Sequence, residues 1–202
     1  MSGGRPISAD FQVPIMSLPH RFNTTLDRIP ANVPYVPLPP APAINFDLVA
    51  NSTIGIAWAG RSTHKNDANR SLECTILKPL LDLTDIAWIS LQIDDRHNEV
   101  TILAKENFFD IRGQIQDFAD TATAIAALDL VITVDTAVAH LAGALGKPVW
   151  ILLPFAPDWR WLLEREDSSW YPTMKLFRQK MPGDWEGVIN SVVKALSSSE
   201  YN

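Results

Sequence analysis

From Thr53 onward the chain alternates short apolar runs with stretches of helical periodicity, and this alternation constrains its fold more than any other feature. Residues 54–59 (Ile-Gly-Ile-Ala-Trp-Ala), 86–91 (Ile-Ala-Trp-Ile-Ser-Leu), 130–134 (Leu-Val-Ile-Thr-Val) and 148–153 (Pro-Val-Trp-Ile-Leu-Leu) carry apolar or small side chains at both parities of a strand. A strand with one wet face alternates polar and apolar residues; one that does not is covered on both faces. Residues 108–111 and 174–177 add two shorter strands. Between them, Leu72, Ile76, Leu77, Leu80 and Leu81 recur at helical spacing, with Pro79 expected to limit or kink that helix. Residues 118–128 are Ala-rich and helical, and residues 136–145 form a helix with Gly146 as its left-handed cap. The last helix starts after Gly183 and Asp184, with Trp185, Val188, Ile189, Val192 and Leu196 on one face. Strands alternating with helices of this length predict an α/β domain over residues 51–202. It is a Rossmann-like parallel sheet with helices on both faces and right-handed crossovers.

Residues 1–50 read differently. They hold nine of the fifteen prolines: Pro6, Pro14, Pro19, Pro30, Pro34, Pro37, Pro39, Pro40 and Pro42. Proline removes a backbone donor and fixes φ, which disfavours long helices and central strands. The segment is nonetheless apolar, with Phe11, Val13, Ile15, Met16, Leu18, Phe22, Leu26, Ile29 and Tyr35. It is expected as extended chain and short turns packed on a domain surface, ending in a Pro-rich interdomain connector over residues 37–42.

Composition narrows the function classes. With 47% hydrophobic and 20% charged residues the chain can bury a core. A net charge of −6 excludes a broad nucleic-acid surface, which needs many cations on one face, but leaves room for a small anionic ligand. Cys74 is the single cysteine, so no internal disulfide forms. This fits a cytoplasmic protein, although a disulfide-free secreted one has the same composition. No apolar run is long enough for a signal peptide or a membrane span. The four histidines, His20, His64, His97 and His140, are scattered, and no metal site is expected.

Open α/β sheets bind ligands beyond the carboxyl ends of their strands, where the strand order reverses, between the first and fourth strands of the usual order. Two loops therefore matter. Residues 60–70 begin with Gly60 and gather Arg61, His64, Lys65 and Arg70 in an acidic chain, a composition suited to phosphate or pyrophosphate. A solvated polar loop has the same composition. In the second, residues 134–140 (Val-Asp-Thr-Ala-Val-Ala-His), a strand runs directly into a helix. Asp135 or Thr136 can cap that helix, the N–H groups of Thr136, Ala137 and Val138 face the crevice, and small Ala137 admits close approach. His140 lies one turn in from Thr136, placed to donate to phosphate or a sugar hydroxyl. The same spacing also fits a plain N-cap and a satisfied, half-buried histidine. No G-x-G-x-x-G follows the first strand, and no P-loop or G-x-S-x-G elbow occurs, which disfavours dinucleotide oxidoreductases, P-loop NTPases and α/β-hydrolases.

Residues 134–150 (Val-Asp-Thr-Ala-Val-Ala-His-Leu-Ala-Gly-Ala-Leu-Gly-Lys-Pro-Val-Trp) resemble the D-[ST]-[GA]-x-x-H-x-A-x-A-x-x-x-P signature of the heptosyltransferase-like glycosyltransferases of family 9. The resemblance is nearest to the glycosyltransferase portion of bacterial tetratricopeptide-repeat proteins. Residues 54–60, 66–67, 70–71, 90–92, 117–121, 153–161 and 170–172 resemble theirs, and residues 16–19 and 29–30 resemble the segment leading into their second domain. The resemblance implies the second, nucleotide-sugar-binding domain of a GT-B fold. It implies that Asp135 holds donor hydroxyls, that the Thr136 and Ala137 amides with His140 hold the diphosphate, and that Lys65 or Arg70 neutralises the leaving group beside Gly60. Gln92 is a weaker candidate for ribose or base, and Asp158 and Trp159 for a lid; Trp159 and Trp161 suit packing equally well.

The resemblance implies that a complete enzyme also has an acceptor-binding domain, with any repeats before it, to which nothing in residues 1–202 corresponds. The general base is expected there, so no catalytic residue is assigned in this chain. The function expected is the donor-binding part of a nucleotide-sugar glycosyltransferase, inverting as the resemblance implies, with no cofactor, partnered by a separate acceptor domain or by self-association through residues 1–45. The alternative is a non-catalytic nucleotide-binding or interaction module.

Overall fold

A computed structural model describes residues 9–38, 52–93 and 95–198. Six strands, β1 (Ser52–Ala57), β2 (Ile86–Ser90), β3 (Phe108–Asp110), β4 (Leu130–Val134), β5 (Val149–Leu153) and β6 (Met174–Arg178), form one sheet in the order β3-β2-β1-β4-β5-β6. Every neighbouring pair is parallel. The strand order reverses between β1 and β4, where the sequence puts the crevice. The helices are α1 (Leu18–Arg21), α2 (Asp67–Arg70), α3 (Lys78–Leu81), α4 (Val100–Leu103), α5 (Phe118–Ala126), α6 (Ala137–Ala144) and α7 (Trp185–Ser197).

The period-2 pleat divides the apolar strands between two cores. Ile54, Ile56, Trp88, Ile132 and Leu152 pack with Leu77, Leu80 and Leu81 and with Trp185, Val188, Ile189 and Val192 of α7. Ile89, Val131, Val149 and Ile151 pack with Ala124 and Ile125 of α5, Ala139 and Ala142 of α6, and Trp161. Burial of each large side chain contributes roughly 1.5–3 kcal/mol. Gly55 lets the end of α5 approach β1, because a Cβ there would meet Leu128 Cδ1 at 2.5 Å.

Three expectations are corrected. Leu72 to Leu81 is not one helix limited by Pro79: a 3-10 turn (Cys74–Leu77) leads into α3, and Pro79 stands in the first turn of α3. There its missing N–H would have no intrahelical partner anyway. Thr136 occupies the N-cap position of α6, but its side chain makes no capping bond; its hydroxyl shares a hydrogen bond with Thr133 Oγ1 at 3.2 Å. The third concerns the apolar residues of the amino-terminal segment. Phe11, Ile15, Met16, Phe22 and Leu26 are exposed rather than packed on the domain.

Among the described residues of that segment, those around Tyr35 form a strap on the domain. The N–H groups of Tyr35 and Val36 both donate to Ala144 O, at 3.0 and 3.4 Å, satisfying a carbonyl at the end of α6. Val33 and Pro34 lie against Gly146, whose φ of +72° is the left-handed cap the sequence requires. Residues 39–50, with most of the expected connector, lie outside the described residues. No described helix is long and apolar enough to cross a membrane.

Candidate functional site

At the carboxyl ends of β1, β2 and β4 lies a cavity of about 500 Å³. Gly60, Arg61 and Arg70 line one side and Thr136, Ala137 and Val138 another; Leu91 to Ile93 and residues 115–118 complete it.

The β1 side is built by one buried amide. Gln92 Oε1 accepts from the N–H groups of Trp58 and Ala59, both at 3.0 Å, and its Nε2 donates to Ala59 O at 3.0 Å. Gln92 thus ties the diverging ends of β1 and β2 together. Beyond it, Gly60 N–H donates to Ser71 Oγ at 2.9 Å, and Ser71 Oγ donates to Asp67 Oδ1 at 2.9 Å. These bonds fold the basic loop back so that α2 stands over the cavity. From α2, Arg70 Nη1 donates to Asp135 O at 2.8 Å, and Nε lies 3.4 Å from Asp67 Oδ1. The guanidinium passes directly over Gly60: a Cβ at position 60 would sit 2.2 Å from Nη2. The absent Cβ thus leaves the space that Arg70 occupies as it reaches Asp135 O.

Opposite Arg70 is the start of α6. With no side-chain cap, the first-turn N–H groups of Ala137 and Val138 have no acceptor within the helix, and Ala139 N–H closes the first turn on Thr136 O at 3.1 Å. Backbone N–H groups at the positive end of the helix dipole, facing two arginines across one cavity, form an anion-binding arrangement.

Asp135 and His140 form a second cluster, on the β5–β6 side of α6, and do not line this cavity. His140 Nε2 lies 3.7 Å from Asp135 Oδ1. The imidazole stacks on Trp161, centroids 5.5 Å apart and planes 19° from parallel, and its Nδ1 lies 3.1 Å from the Tyr171 hydroxyl. Burial pushes the His140 pKa below its ordinary value; the Asp135 carboxylate opposes this, Arg160 adds to it, and Asp158 opposes it again.

The remaining predicted residues stand apart. Lys65 is on the exposed loop and does not line the cavity. Asp158 caps the turn Trp159–Trp161, accepting from Arg160 N–H at 3.0 Å. Trp159 is 67% exposed and meets Trp170 edge-on at 6.1 Å. Both line a different open cavity with Leu162, Leu163 and Arg165. That connection touches the basic loop through Asn69 Nδ2, 3.5 Å from Ala156 O. The structure therefore brings Gly60, Arg70, Gln92, Thr136 and Ala137 to one cavity, pairs Asp135 with His140 beside it, and leaves Lys65, Asp158 and Trp159 elsewhere. Sequence reasoning missed the cavity wall made by Asp117, Phe118 and Thr121, and the Tyr171 and Trp161 contacts of His140. Asp117 was readable as a helix cap; Tyr171 stands in the 170–172 segment of the resemblance, but nothing local there points to His140. Among the described residues no three His, Cys, Asp or Glu side chains are grouped to hold a metal.

Residues 95–152, spanning α4 to β5, match the model of Glycosyltransferase family 9 (heptosyltransferase). The chain is 29% identical over 152 residues to Protein FlbA of Caulobacter vibrioides, covering 71% of this chain and 24% of FlbA. Its fold is similar to E. coli ADP-heptose lps heptosyltransferase II, with a TM-score of 0.50 at 16% identity, over 75% of this chain and 50% of that one. E. coli heptosyltransferase WaaC with ADP-2-deoxy-2-fluoro heptose gives a TM-score of 0.49 at 15% identity, over 74% of this chain and 44% of that one. The chain thus spans about a quarter of FlbA and half of heptosyltransferase II. Residues 95–152 are thus similar to Glycosyltransferase family 9 (heptosyltransferase), and the six-stranded Rossmann-like sheet has the fold of part of heptosyltransferase II.

Proposed function

We propose that this chain is the nucleotide-sugar-binding part of a glycosyltransferase, with the donor diphosphate held between Arg70 and the start of α6. The observation that carries the reading is the convergence of the Ala137 and Val138 amides with Arg61 and Arg70 on one cavity. A volume of about 500 Å³ suits a nucleotide-sized ligand. In sugar transfer the bond from the anomeric carbon to the diphosphate breaks, and negative charge grows on the leaving phosphate. Fixed amide dipoles and a guanidinium anchored to Asp135 O are already oriented toward that charge, so little reorganisation is needed as it develops. The apolar wall of Leu91, Ile93, Ile115 and Phe118 takes the nucleoside, and the sugar extends toward Asp135 and His140. Gln92, fully engaged with the backbone, shapes the nucleoside end rather than reading the base. No residue of this site is assigned as the base that deprotonates the acceptor.

The test is calorimetry and thermal shift with UDP, GDP, ADP and CMP and their sugars. A ligand that binds only the folded state raises the melting midpoint. One nucleoside diphosphate is expected to bind, and Arg70→Ala to weaken it about 10- to 100-fold, the worth of a charge-assisted hydrogen bond. Absence of binding to every nucleotide would move the chain to the class of non-catalytic interaction modules.

A further inference from the structure

We infer that Tyr171 is a positioning residue: it donates its hydroxyl proton to His140 Nδ1 and so fixes the imidazole proton on Nε2, facing Asp135. Three observations converge on this. Tyr171 Oη lies 3.1 Å from Nδ1, a hydrogen bond whose direction depends on the tautomer. On the other edge of the ring, Nε2 faces Asp135 Oδ1 at 3.7 Å. Stacking on Trp161 holds the ring plane, with centroids 5.5 Å apart and planes 19° from parallel, so that within this plane one edge meets Tyr171 and the other Asp135.

The direction follows from electrostatics. Burial keeps the ring neutral, so one proton is shared between two nitrogens. On Nδ1 it would leave the Nε2 lone pair turned toward a carboxylate oxygen, which is repulsive. On Nε2 it turns an N–H toward the carboxylate and makes Nδ1 an acceptor for the phenol. Tyr171 is suited to supply that proton: burial, followed by the Tyr35 hydroxyl, pushes its pKa well above the ordinary phenol value, so it stays protonated. Behind it, the Tyr35 hydroxyl lies 3.5 Å from Tyr171 Oη, a longer contact than the 3.1 Å between Tyr171 and the histidine. Gly143 makes room for the phenol, since a Cβ there would lie 2.6 Å from Tyr171 Cδ1. The groups facing the imidazole are thus Asp135 from the end of β4, Tyr171 from the turn before β6, and Arg160 and Asp158 from the β5–β6 connection.

The separation of 3.7 Å is too long for a direct hydrogen bond. Nε2–H and the carboxylate are therefore a matched donor and acceptor left open to a third group. A hydroxyl that accepts from Nε2–H and donates to Asp135 fits between them; a phosphate oxygen, which can only accept, does not. This consequence rests on the donor-site reading above, and it assigns His140 to a sugar hydroxyl rather than to the diphosphate. The protonation pattern itself is independent of that reading.

The experiment is a long-range ¹H–¹⁵N correlation spectrum of the imidazole nitrogens in the wild-type chain and in Tyr171→Phe, at a pH where His140 is neutral. The expected wild-type pattern is a protonated Nε2 and an acceptor-type Nδ1. In Tyr171→Phe the Nδ1 signal moves toward the value of a nitrogen without a hydrogen-bond donor. With the nucleotide that binds, the phenylalanine variant is expected to lose about tenfold affinity for the nucleotide sugar and none for the nucleoside diphosphate. A wild-type proton on Nδ1, or an Nδ1 signal unmoved by Tyr171→Phe, overturns the assignment. Should the variant fail to fold, the wild-type spectrum alone decides the tautomer. The expected spectra without binding of any nucleotide sugar would uphold the role of Tyr171 and overturn the donor-site reading.

Discussion

At the scale of single residues, the cavity depends on one absence, the Cβ of Gly60. Gly60→Ala would place a methyl group against the Arg70 guanidinium, which must shift and is expected to weaken its bond to Asp135 O. The expected result is about tenfold weaker nucleoside diphosphate binding by calorimetry. The melting temperature should change little, because one partly exposed hydrogen bond is worth about 1 kcal/mol. Unchanged affinity would show that Arg70 does not need its present position. Gln92 shows the opposite case, a polar side chain at a ligand-facing strand end that is consumed by structure. Its three bonds to Trp58 and Ala59 make it a splint, and nothing in its sequence neighbourhood distinguishes a splint from a ligand contact.

At the scale of elements, the boundary residues of the helices decide how the cavity is walled. α5 is capped by Asp117, whose carboxylate accepts from Ala119 N–H at 2.7 Å and Asp120 N–H at 3.1 Å. Asp117→Ala is expected to cost about 1 kcal/mol in urea denaturation. It would also loosen Phe118 and Thr121, which border the cavity. α6 lacks such a cap, which leaves its first amides without a side-chain acceptor. The six strands were legible because strands covered on both faces are written as apolar runs, and β4 agrees with its sequence reading residue for residue. The Leu72 to Leu81 segment was misread because proline reads as a breaker inside a periodic run, whereas a first-turn proline leaves the same periodicity. The candidate site was legible where it is made of backbone, at Thr136 and Ala137. It was not legible where it depends on which way a side chain turns across the sheet: His140 leans toward Trp161 and Tyr171, both distant in sequence.

For the whole molecule, two groups tie stability to pH with the same sign. Burial lowers His140 below its unfolded value of 6.5, so the unfolded chain takes up this proton first. Its contribution is complete above that pH and declines as the pH falls toward the folded value. For Glu99, burial raises the pKa, but the bonds from Arg96 Nε at 2.7 Å and Trp58 Nε1 at 2.7 Å more than offset this and leave it below 4.5. Its contribution is complete above that value and is lost on further acidification. Urea midpoints are expected to begin falling near pH 6.5 and to fall again below pH 4.5. His140→Gln should flatten the first decline and Glu99→Gln the second; a profile unchanged by both would remove these groups as the cause.

The strand order also dictates a sequence of events during synthesis. β1 is central, yet its partner on one side, β4, is made only after β2 and β3 have emerged, with Ile54 pairing to Leu130. A nascent chain can assemble β1, β2 and β3 while the other edge of β1 stays unpaired and sticky. Closing that edge brings in β4 and α6, and with them the amide end of the cavity. In a chain that folds as it is made, pairing of β4 would complete the cavity and cover the exposed edge of β1 together.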